Sequence, residues 1–400
     1  MKNKQLVKTR VKVIHSHPTW LTQTQTWMYN QVYYLPDEIE NHIVCGRQEN
    51  LDQFWLPNIH ALSDKSKWPY FWDEVLFLDK VLRERQFRRH QGLLVDVAKR
   101  ENVSILHSHF GHIGWVDLDA AKKAGLKQVV TFYGRDVNYL PKKKPRWLRR
   151  YQELFAKVDR ILCEGPHMAQ CIVNLGCPAD KVKVQHLGIS IEEIAFKPRV
   201  WNTGEPLRVL IASSFREKKG IPYALEALGQ LQHQVSLEVT IIGDANREKS
   251  SQDEKKKILA TIEKHNLHSK VNLLGYQPYK VLFEEAYKHH IFLSPSVTAS
   301  DGDTEGGAPV SLIEMAATGM PIISTKHCDI PEVIIDGVTG LLAEERDVEG
   351  LVSHLQQLVA HPEQWYDLVQ AGRKHIEAEY DAQIQGSRLA AIYIGLNAMG

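Results

Sequence analysis

Short runs of apolar residues alternate with stretches of helical periodicity along most of the chain. The runs that predict strands are residues 11–15, 42–45, 105–107, 128–132, 160–163 and 182–186 in the first half, and 207–213, 238–242, 271–274, 291–294, 321–324 and 340–342 in the second. The main helical stretches are 73–99, 114–124, 223–231, 253–265, 278–289, 310–318, 348–361 and 364–379. Strands that alternate with helices predict an α/β protein with parallel sheets.

This alternation lapses once, at positions 196–206, in the segment Phe-Lys-Pro-Arg-Val-Trp-Asn-Thr-Gly-Glu-Pro. Proline, glycine and asparagine clustered without apolar periodicity are typical of a linker. We therefore predict two Rossmann-like, doubly wound domains, residues 1–197 and 205–379, facing each other across a cleft. Ligands of such sheets lie beyond the carboxyl ends of the strands, so the chemistry should lie in the loops that follow strands.

The composition narrows the class of protein. The 400 residues include 49 Lys and Arg against 48 Asp and Glu, and this balance argues against general nucleic-acid binding. The chain has five cysteines and no Cys-x-x-Cys pair, a pattern from which we expect reduced thiols in a cytoplasmic protein. No segment approaches the roughly 20 apolar residues of a membrane span. We expect a cytoplasmic protein, at most associated with the inner face of a membrane.

The segment 300–318, Ser-Asp-Gly-Asp-Thr-Glu-Gly-Gly-Ala-Pro-Val-Ser-Leu-Ile-Glu-Met-Ala-Ala-Thr, carries the most chemistry. Pro309 suits the first turn of a helix, and Gly319 suits the residue just past its end. The amides of Gly306, Gly307 and Ala308 would then lie at a positive helix N-terminus, with no large side chain to block approach. Such a terminus predicts a phosphate site.

Carboxylates surround that predicted phosphate site. Asp301, Asp303 and Glu305 precede the glycines, and Glu314 lies on the helix that follows. Carboxylates cannot bind phosphate, but they accept hydrogen bonds from hydroxyl groups. Phosphate and polyol recognition side by side therefore predict a nucleotide-sugar ligand.

Basic residues follow the first strand of the second predicted domain. The loop 213–220, Ser-Ser-Phe-Arg-Glu-Lys-Lys-Gly, joins a strand to a helix, so Arg216, Lys218 and Lys219 can point toward the ligand. Cations at this place would stabilise a departing nucleotide diphosphate.

Four segments together, 213–220, 271–276, 305–321 and 331–341, resemble the retaining glycosyltransferases of the GT-B fold, family 4, which build bacterial capsules, exopolysaccharides and lipopolysaccharide. The resemblance covers nearly the whole chain and is closest to exopolysaccharide (colanic-acid-like) transferases. It implies transfer of a hexose, with retention, from a UDP- or GDP-sugar donor to a glycan or lipid-linked glycan in polysaccharide biosynthesis. It also implies that a last helix, residues 380–400, crosses back to the first domain.

The family signature is a pair of glutamates separated by seven residues, and Glu305 and Glu314 here have eight between them. The resemblance implies that Glu305 contacts the donor sugar as a catalytic residue and that Glu314 binds the nucleotide ribose. Asp303 could partly substitute for Glu305. Gly275 and Tyr276 are further donor-binding residues by the same resemblance.

The resemblance places Lys219 on the donor diphosphate. Ser214 stands where a family arginine is usual, and Arg216 is a candidate replacement. Asp301-Gly-Asp303 formally spells the metal motif of the other major transferase fold. Because two lysines can supply the same positive charge, we expect no metal and no cofactor other than the donor.

Strand ends of the first domain carry the remaining candidate residues. By resemblance, two further catalytic residues are His109 in His-Ser-His-Phe-Gly, which bonds donor hydroxyls, and Asp136 in Thr-Phe-Tyr-Gly-Arg-Asp, which positions the acceptor. Tyr133 replaces a common histidine. The alternative is that these strand-end residues are satisfied by backbone groups. The candidate acceptor-binding residues are Trp20, Gln23 and Glu164.

The basic segment 142–151, Lys-Lys-Lys-Pro-Arg-Trp-Leu-Arg-Arg-Tyr, is interleaved with aromatic residues. It is either a solvated loop and helix start or a surface for anionic lipid head groups, to which each cation would add about 1 kcal/mol. Without a supporting fold we do not expect it to bind nucleic acid.

No nucleophile with a neighbouring base stands out in the sequence, which agrees with front-face substitution, in which the leaving phosphate takes the acceptor proton. Two other functions stay open: a nucleotide-sugar 2-epimerase of the same architecture, and a non-catalytic nucleotide-sugar-binding relative. The nucleotide base, the sugar, the acceptor and the linkage are not fixed by the sequence.

Overall fold

The computed structural model describes residues 10–22, 25–62 and 77–398, and the chain divides into two compact units. The first unit comprises Met1–Gly188 together with Ala382–Gly400, and the second comprises Ile189–Asp381. The division precedes the linker predicted at 196–206, because Ile189, Ile191 and Ile194 are buried in an apolar cluster of the second unit.

The first unit is built on a seven-stranded parallel sheet. Its strands are β1 (Val11–Trp20), β2 (Ile39–Gln48), β3 (Ile59–Ala61), β4 (Ile105–His109), β5 (Lys127–Thr131), β6 (Arg160–Cys163) and β7 (Val182–Val184). The spatial order is β3-β2-β1-β4-β5-β6-β7. The helices of this unit that precede the second unit in the chain are α1 (Thr26–Tyr33), α2 (Leu51–Phe54), α3 (Phe77–Glu101), α4 (Gly111–Ala124), α5 (Leu140–Lys143), α6 (Arg146–Lys157) and α7 (Pro166–Asn174).

The second unit is built on a six-stranded parallel sheet. Its strands are β8 (Leu207–Ala212), β9 (Leu237–Ile242), β10 (Val271–Gly275), β11 (Ile291–Ser294), β12 (Ile322–Thr325) and β13 (Leu341–Ala343). The spatial order is β10-β9-β8-β11-β12-β13. Its helices are α8 (Ile221–Leu231), α9 (Lys249–Lys264), α10 (Tyr279–Ala286), α11 (Val310–Ala317), α12 (Ile330–Val333), α13 (Val348–Ala360) and α14 (Trp365–Glu379).

The last helix, α15 (Ala382–Ala398), belongs to the first unit. Leu389 and Tyr393 are fully buried and pack in one apolar cluster with Val13 and Val129 of the central strands. A Cβ on Gly386 would lie 2.1 Å from a backbone oxygen of the segment after α1, so this helix packs closely against that segment. Among the helices of the described residues, none is long and apolar enough to cross a membrane.

All twelve predicted strands and the eight main predicted helices are present, with residues 73–76 of the first predicted helix outside the described part. The α/β, doubly wound class is confirmed. The prediction missed β3, whose three residues form a partly exposed edge strand without an apolar run. It also did not list α1, α6 and α7. Helices α1 and α7 are short, and α6 combines its apolar stripe of Trp147, Tyr151, Leu154 and Phe155 with many basic residues.

Candidate active site

The loop after β8 turns tightly before α8. Residues Glu217–Lys219 form one 3₁₀ turn that ends at Gly220, whose φ of 62° lies in the left-handed region. A Cβ on Gly220 would lie 1.9 Å from the Pro295 carbonyl oxygen, so only glycine permits this approach to the loop after β11. The Val297 N–H donates to the Lys218 carbonyl at 2.8 Å and joins the two loops.

Lys218 and Lys219 are paired with the acidic loop, residues 298–305, which lies after β11. Lys219 Nζ lies 2.8 Å from the Glu305 carboxylate, and the two side chains are only 17% and 6% exposed. Lys218 Nζ donates to the Thr304 carbonyl at 2.7 Å and lies 3.4 Å from Asp303 Oδ1. The structure thus brings together Lys218, Lys219, Asp303 and Glu305, all of which the sequence analysis names as candidates.

Positive charge sets the protonation of Glu305. Burial raises the pKa of this carboxyl, but the ammonium groups of Lys219 and Lys218 outweigh burial and lower the pKa to about 2. Ser296 Oγ also donates to Glu305 Oε1 at 2.8 Å. In turn, burial lowers the pKa of Lys219, while the Glu305 carboxylate raises it. The two ions compensate each other in a region nearly shielded from water.

The carboxylates of Asp301 and Asp303 do not form the paired ligand set of a metal motif. Asp301 Oδ1 accepts the Asp303 N–H at 3.0 Å, whereas Asp303 Oδ1 faces Lys218 Nζ. Asp303 Oδ1 therefore already has a cationic partner, the Lys218 ammonium group.

Helix α11 begins at Val310, the first residue of the predicted helical stretch 310–318, so Pro309 lies just before the first turn and not within it. Pro309 is the N-cap, with φ −58° and an extended ψ of 130°, and Val310 is the first helical residue. The amides of Gly306, Gly307 and Ala308 therefore precede the helix and do not form its first turn. The first-turn amides of α11 begin at Val310 and the three predicted amides lie directly before them, so the phosphate site stays a prediction. The predicted helix end is confirmed, with the next glycine, at 319, at φ 83°.

Glu314 is a buried carboxyl group on α11. It is 4% exposed, and its Oε1 accepts the Tyr279 hydroxyl at 2.8 Å. Burial raises the pKa of Glu314 to about 7, and the Tyr279 hydrogen bond lowers it against that effect. Sequence reasoning missed Tyr279 because this contact depends on how α10 and α11 pack.

The remaining predicted donor residues are Arg216, after β8, Gly275, the last residue of β10, and Tyr276, which follows it. Gly275 has a φ of 68°, and its carbonyl accepts the Gly243 N–H at 2.8 Å. Tyr276 is 58% exposed. Burial raises the pKa of Tyr276, and the positive charge of the Arg216 guanidinium lowers it against that effect. Arg216 Nη2 also lies 3.8 Å from Glu248 Oε2, so its ion pair is not with the acidic loop.

A buried chain of polar side chains in the first unit contains His109. His109 Nε2 lies 3.1 Å from His15 Nδ1, and His109 Nδ1 lies 2.7 Å from Tyr133 Oη. His15 Nε2 lies 3.2 Å from Asn41 Oδ1, an acceptor, so His15 carries its proton on Nε2. His109 then donates through Nε2, and its Nδ1 competes with Gln31 Oε1, 3.1 Å from Tyr133 Oη, for the single hydroxyl proton of Tyr133. A donor hydroxyl can reach His109 only by displacing one of these partners.

Both carboxylate oxygens of Asp136 are taken by backbone amides. The Gly111 N–H donates to Oδ2 at 2.7 Å, and the Tyr133 N–H donates to Oδ1 at 3.0 Å. Burial raises the pKa of Asp136 to about 6, and the amide hydrogen bonds lower it against burial. Asp136 therefore joins the loops after β4 and β5, which is the backbone-satisfied alternative considered for these strand ends.

The three predicted acceptor residues differ in their surroundings. Trp20 is fully buried, and its Nε1–H donates to the Phe54 carbonyl at 3.0 Å, so the predicted acceptor contact is corrected to a core role. Gln23 lies outside the described residues. Glu164, partly buried after β6, adds to the effect of burial in raising the pKa of Tyr133.

His15, His107 and His109 each offer a nitrogen within 4.8 Å of the others, a cluster that the sequence did not reveal. His107 Nδ1 lies 2.6 Å from Tyr393 Oη, and His107 Nε2 lies 2.7 Å from Thr131 Oγ1. The His107 and His109 rings stack at 4.4 Å with 23° between planes, so their lone pairs run nearly parallel and do not converge on one point. Burial lowers the pKa of all three rings, and we interpret the cluster as a neutral hydrogen-bonded network.

Two family models match consecutive parts of the chain. Residues 24–193 match the model described as Glycosyltransferase Family 4, and residues 193–375 match the model described as Glycosyl transferases group 1. The amylovoran biosynthesis glycosyltransferase AmsK of Erwinia amylovora is 34% identical over 290 residues, which cover 71% of this chain and 68% of AmsK. The chain belongs to the family 4, group 1 glycosyltransferases. The predicted resemblance and enzyme class are confirmed.

Further similar proteins support the assignment of this chain to the glycosyltransferase family. WcaL of Escherichia coli (strain K12), a protein named for colanic acid biosynthesis, is 29% identical over 313 residues, covering 74% of this chain and 71% of WcaL. The crystal structure of Anabaena HepE in complex with UDP superposes with a TM-score of 0.75 at 14% identity, covering 96% of this chain and 100% of HepE. This likeness shows the fold, and the predicted GT-B class is confirmed.

Proposed function

We propose that this glycosyltransferase moves a hexose, with retention of configuration, from a UDP- or GDP-sugar to a glycan or lipid-linked glycan in exopolysaccharide biosynthesis. The observation that carries the proposal is the nearly buried ion pair between Lys219 and Glu305. The names of AmsK and WcaL support the biosynthetic context. The crystal structures of HepE in complex with UDP and with UDP-glucose support the donor class.

The donor diphosphate would meet the two lysines of the loop after β8. Its oxygens would replace the Glu305 carboxylate at Lys219 Nζ, which now lies 2.8 Å from that carboxylate. As the bond between sugar and phosphate breaks, negative charge grows on the leaving phosphate, and a fixed ammonium group stabilises it most strongly at that point. Asp303 already faces Lys218, so we propose that the lysines, and no metal, neutralise the diphosphate.

The two glutamates would bind the hydroxyl groups of the donor. Glu305, once released from Lys219, can accept hydrogen bonds from the transferred sugar. Glu314 can accept from the ribose in its ionised form, and its pKa of about 7 makes that form available at and above neutral pH. With orientation and charge supplied in this way, the leaving phosphate takes the proton of the acceptor hydroxyl.

The acceptor side of the proposal rests on the first unit. Glu164 lies near Tyr133, the phenol that bonds His109, and these residues follow neighbouring strands. We also propose contact with an anionic membrane through the basic surface of α5 and α6. Its exposed side chains include Lys142, Lys143, Arg146, Leu148 and Arg149. Lipid-linked acceptors are presented at such a membrane surface.

A thermal-shift panel of UDP, GDP, ADP, UDP-glucose and GDP-mannose tests the donor site. We expect one diphosphate class to raise the melting temperature of the wild type and the Lys219→Ala variant to lose most of that shift. Lys255→Ala is the matched control, because Lys255 Nζ forms a similar ion pair, 2.7 Å from Asp244, in the same unit. Full stabilisation of the Lys219→Ala protein would disprove the diphosphate assignment.

Product analysis separates the transferase from the two other functions. A transferase releases nucleotide diphosphate faster when a glycan acceptor is added, and the anomeric configuration of its product, measured by NMR, tests retention. An epimerase would convert the donor sugar without an acceptor. A non-catalytic relative would bind the nucleotide and release nothing.

A further inference from the structure

Glu345, in the loop after β13, holds the beginning of the acidic loop. Its Oε2 accepts the Thr298 N–H at 2.7 Å, and its Oε1 accepts the Thr298 hydroxyl at 3.2 Å. Burial raises the pKa of Glu345, but hydrogen bonds from His327 and Thr298 lower it below its usual value. Glu345 is therefore an ionised carboxylate at neutral pH, able only to accept hydrogen bonds.

His327, after β12, connects the same carboxylate to the far end of the acidic loop. Its side chain is 1% exposed, and its Nδ1 lies 2.6 Å from Glu345 Oε1. Its Nε2 lies 3.1 Å from the backbone nitrogen of Glu305. Because Glu345 can only accept, the ring proton lies on Nδ1, and Nε2 remains free to accept the Glu305 N–H.

We propose that His327 and Glu345 are positioning residues for the donor, since together they fix Thr298 and Glu305 at the two ends of the acidic loop. Lys219 and Ser296 hold the side chain of Glu305, whereas His327 holds its backbone. The inference rests on the proposed function, because Glu305 and its neighbours are the groups expected to meet the donor. His327 and Glu345 act through this loop and not by contact with the donor.

The other groups around His327 are compatible with this role. Cys328 Sγ lies 3.2 Å from His327 Nε2, and burial raises the pKa of its thiol to about 12, so it stays a neutral and weak donor. The Glu305 amide is the stronger donor to the shared nitrogen. Arg346 lies 3.5 Å from Glu345 and donates to the Thr298 carbonyl, which adds a third link to the beginning of the loop.

Two substitutions of His327 separate the functions of its ring nitrogens. The shorter amide of His327→Asn reaches the Nδ1 position and can keep the contact to Glu345, but it leaves the Glu305 N–H without an acceptor. The longer amide of His327→Gln reaches the Nε2 position and offers its carbonyl to that N–H. We expect His327→Asn to raise the Kd for UDP or GDP and the donor KM about fivefold, as for one lost hydrogen bond, with kcat nearly unchanged. His327→Gln should restore most of the affinity.

The exposed pair His361 and Glu363 provides the matched control. His361 Nδ1 lies 3.1 Å from Glu363 Oε1, the same pairing as in the proposed site but at the surface of the same unit. His361→Asn and His361→Gln should leave the Kd and KM unchanged. Melting temperatures without ligand show that each full-length variant is folded.

Equal binding of UDP and GDP by His327→Asn and the wild type, or equal weakening by Asn and Gln, would overturn the proposal. If His327→Asn does not fold, Glu345→Gln replaces it, because a neutral amide no longer fixes the histidine tautomer. Weaker binding by a folded Glu345→Gln protein supports the positioning role, and unchanged binding refutes it. A wild type that binds neither UDP nor GDP would instead contradict the proposed function itself.

Discussion

The charged residues of the donor site neutralise one another before any ligand arrives. Lys219 faces Glu305, and Lys218 faces Asp303, so the acidic loop covers the cations that the donor needs. A carboxylate on an ammonium group resembles a phosphate oxygen in charge and in hydrogen-bonding geometry. Under the proposed function, donor binding is an exchange of anions at Lys219, and the affinity for the donor depends on how firmly Glu305 is held.

Replacement of Glu305 by glutamine should change stability and ligand binding in opposite directions. The Glu305→Gln protein loses about 3 kcal/mol of stability, because a largely buried Lys219 is left without its counter-ion. The same free ammonium group no longer has to exchange partners, so UDP or GDP should raise the melting temperature more than in the wild type. Glu344→Gln, at an exposed ion pair with Lys326, is the control. A smaller ligand shift in Glu305→Gln would contradict the exchange.

The pH dependence of stability should reveal the buried Glu314. Its pKa rises from 4.5 to about 7 on folding, so the unfolded chain releases this proton more readily than the folded one. The contribution to stability is full below pH 4.5 and is lost as the pH rises through 7, by about 3 kcal/mol in total. Relative to the wild type, Glu314→Gln should gain stability between pH 5 and pH 8. Thermal melts of both proteins across this range test the sign, and parallel profiles would disprove it.

Site residues that belong to a recognisable local motif could be predicted from the sequence. Residues whose role depends on packing could not. Lys219 and Glu305 stand in loops that follow strands, and the parallel sheet brings such loops to one edge. Tyr279, His327 and Glu345 carry no local signal, because each acts through a partner that only the folded chain brings near. Trp20 is the last residue of β1, and its side chain points into the core.

The turn between β8 and α8 fixes the position of the lysines through the shape of the backbone. Gly220 needs both a left-handed φ and space for the Pro295 carbonyl, two constraints that a sequence pattern cannot separate. The same limit explains Pro309 before α11, which fits both the first turn, where it was predicted, and the N-cap, where the structure has it. Long buried strands were predictable because an apolar run suffices to mark them.

Substitution of Gly220 by alanine should disturb the donor site more than an equally strained glycine elsewhere. Gly337 is the matched control, since its φ of 73° is similar to the 62° of Gly220 but nothing lies near its absent Cβ. Gly337→Ala should cost about 1 kcal/mol for the left-handed backbone alone. Gly220→Ala adds a clash with Pro295 and should cost about 3 kcal/mol. Its stabilisation by UDP or GDP should also fall, whereas Gly337→Ala keeps the full thermal shift.

At the scale of the whole molecule, the chain order does not match the division into compact units. The segment that starts at Ile189 packs with the second sheet, and α15 returns to the first sheet after the second is complete. The lapse in apolar periodicity at 196–206 marks where regular secondary structure stops. It does not mark where the chain changes from contacts with the first sheet to contacts with the second, so the predicted domain boundary falls inside the second unit. The first unit therefore depends on residues at both ends of the chain for its core.

Truncation of Leu389 should destabilise the first unit and leave donor binding unchanged. Leu389 of α15 is fully buried beside Val13 and Ile105, and its replacement by alanine should cost about 3 kcal/mol. Ile394 of the same helix is 45% exposed, and Ile394→Ala should cost less than about 0.5 kcal/mol. Urea unfolding followed by tryptophan fluorescence reports chiefly on the first unit, because most tryptophans precede residue 188. Because Lys219 and Glu305 belong to the second unit, the Kd for UDP or GDP of folded Leu389→Ala should equal that of the wild type. A large change in that Kd would show that the two units do not act independently in nucleotide binding.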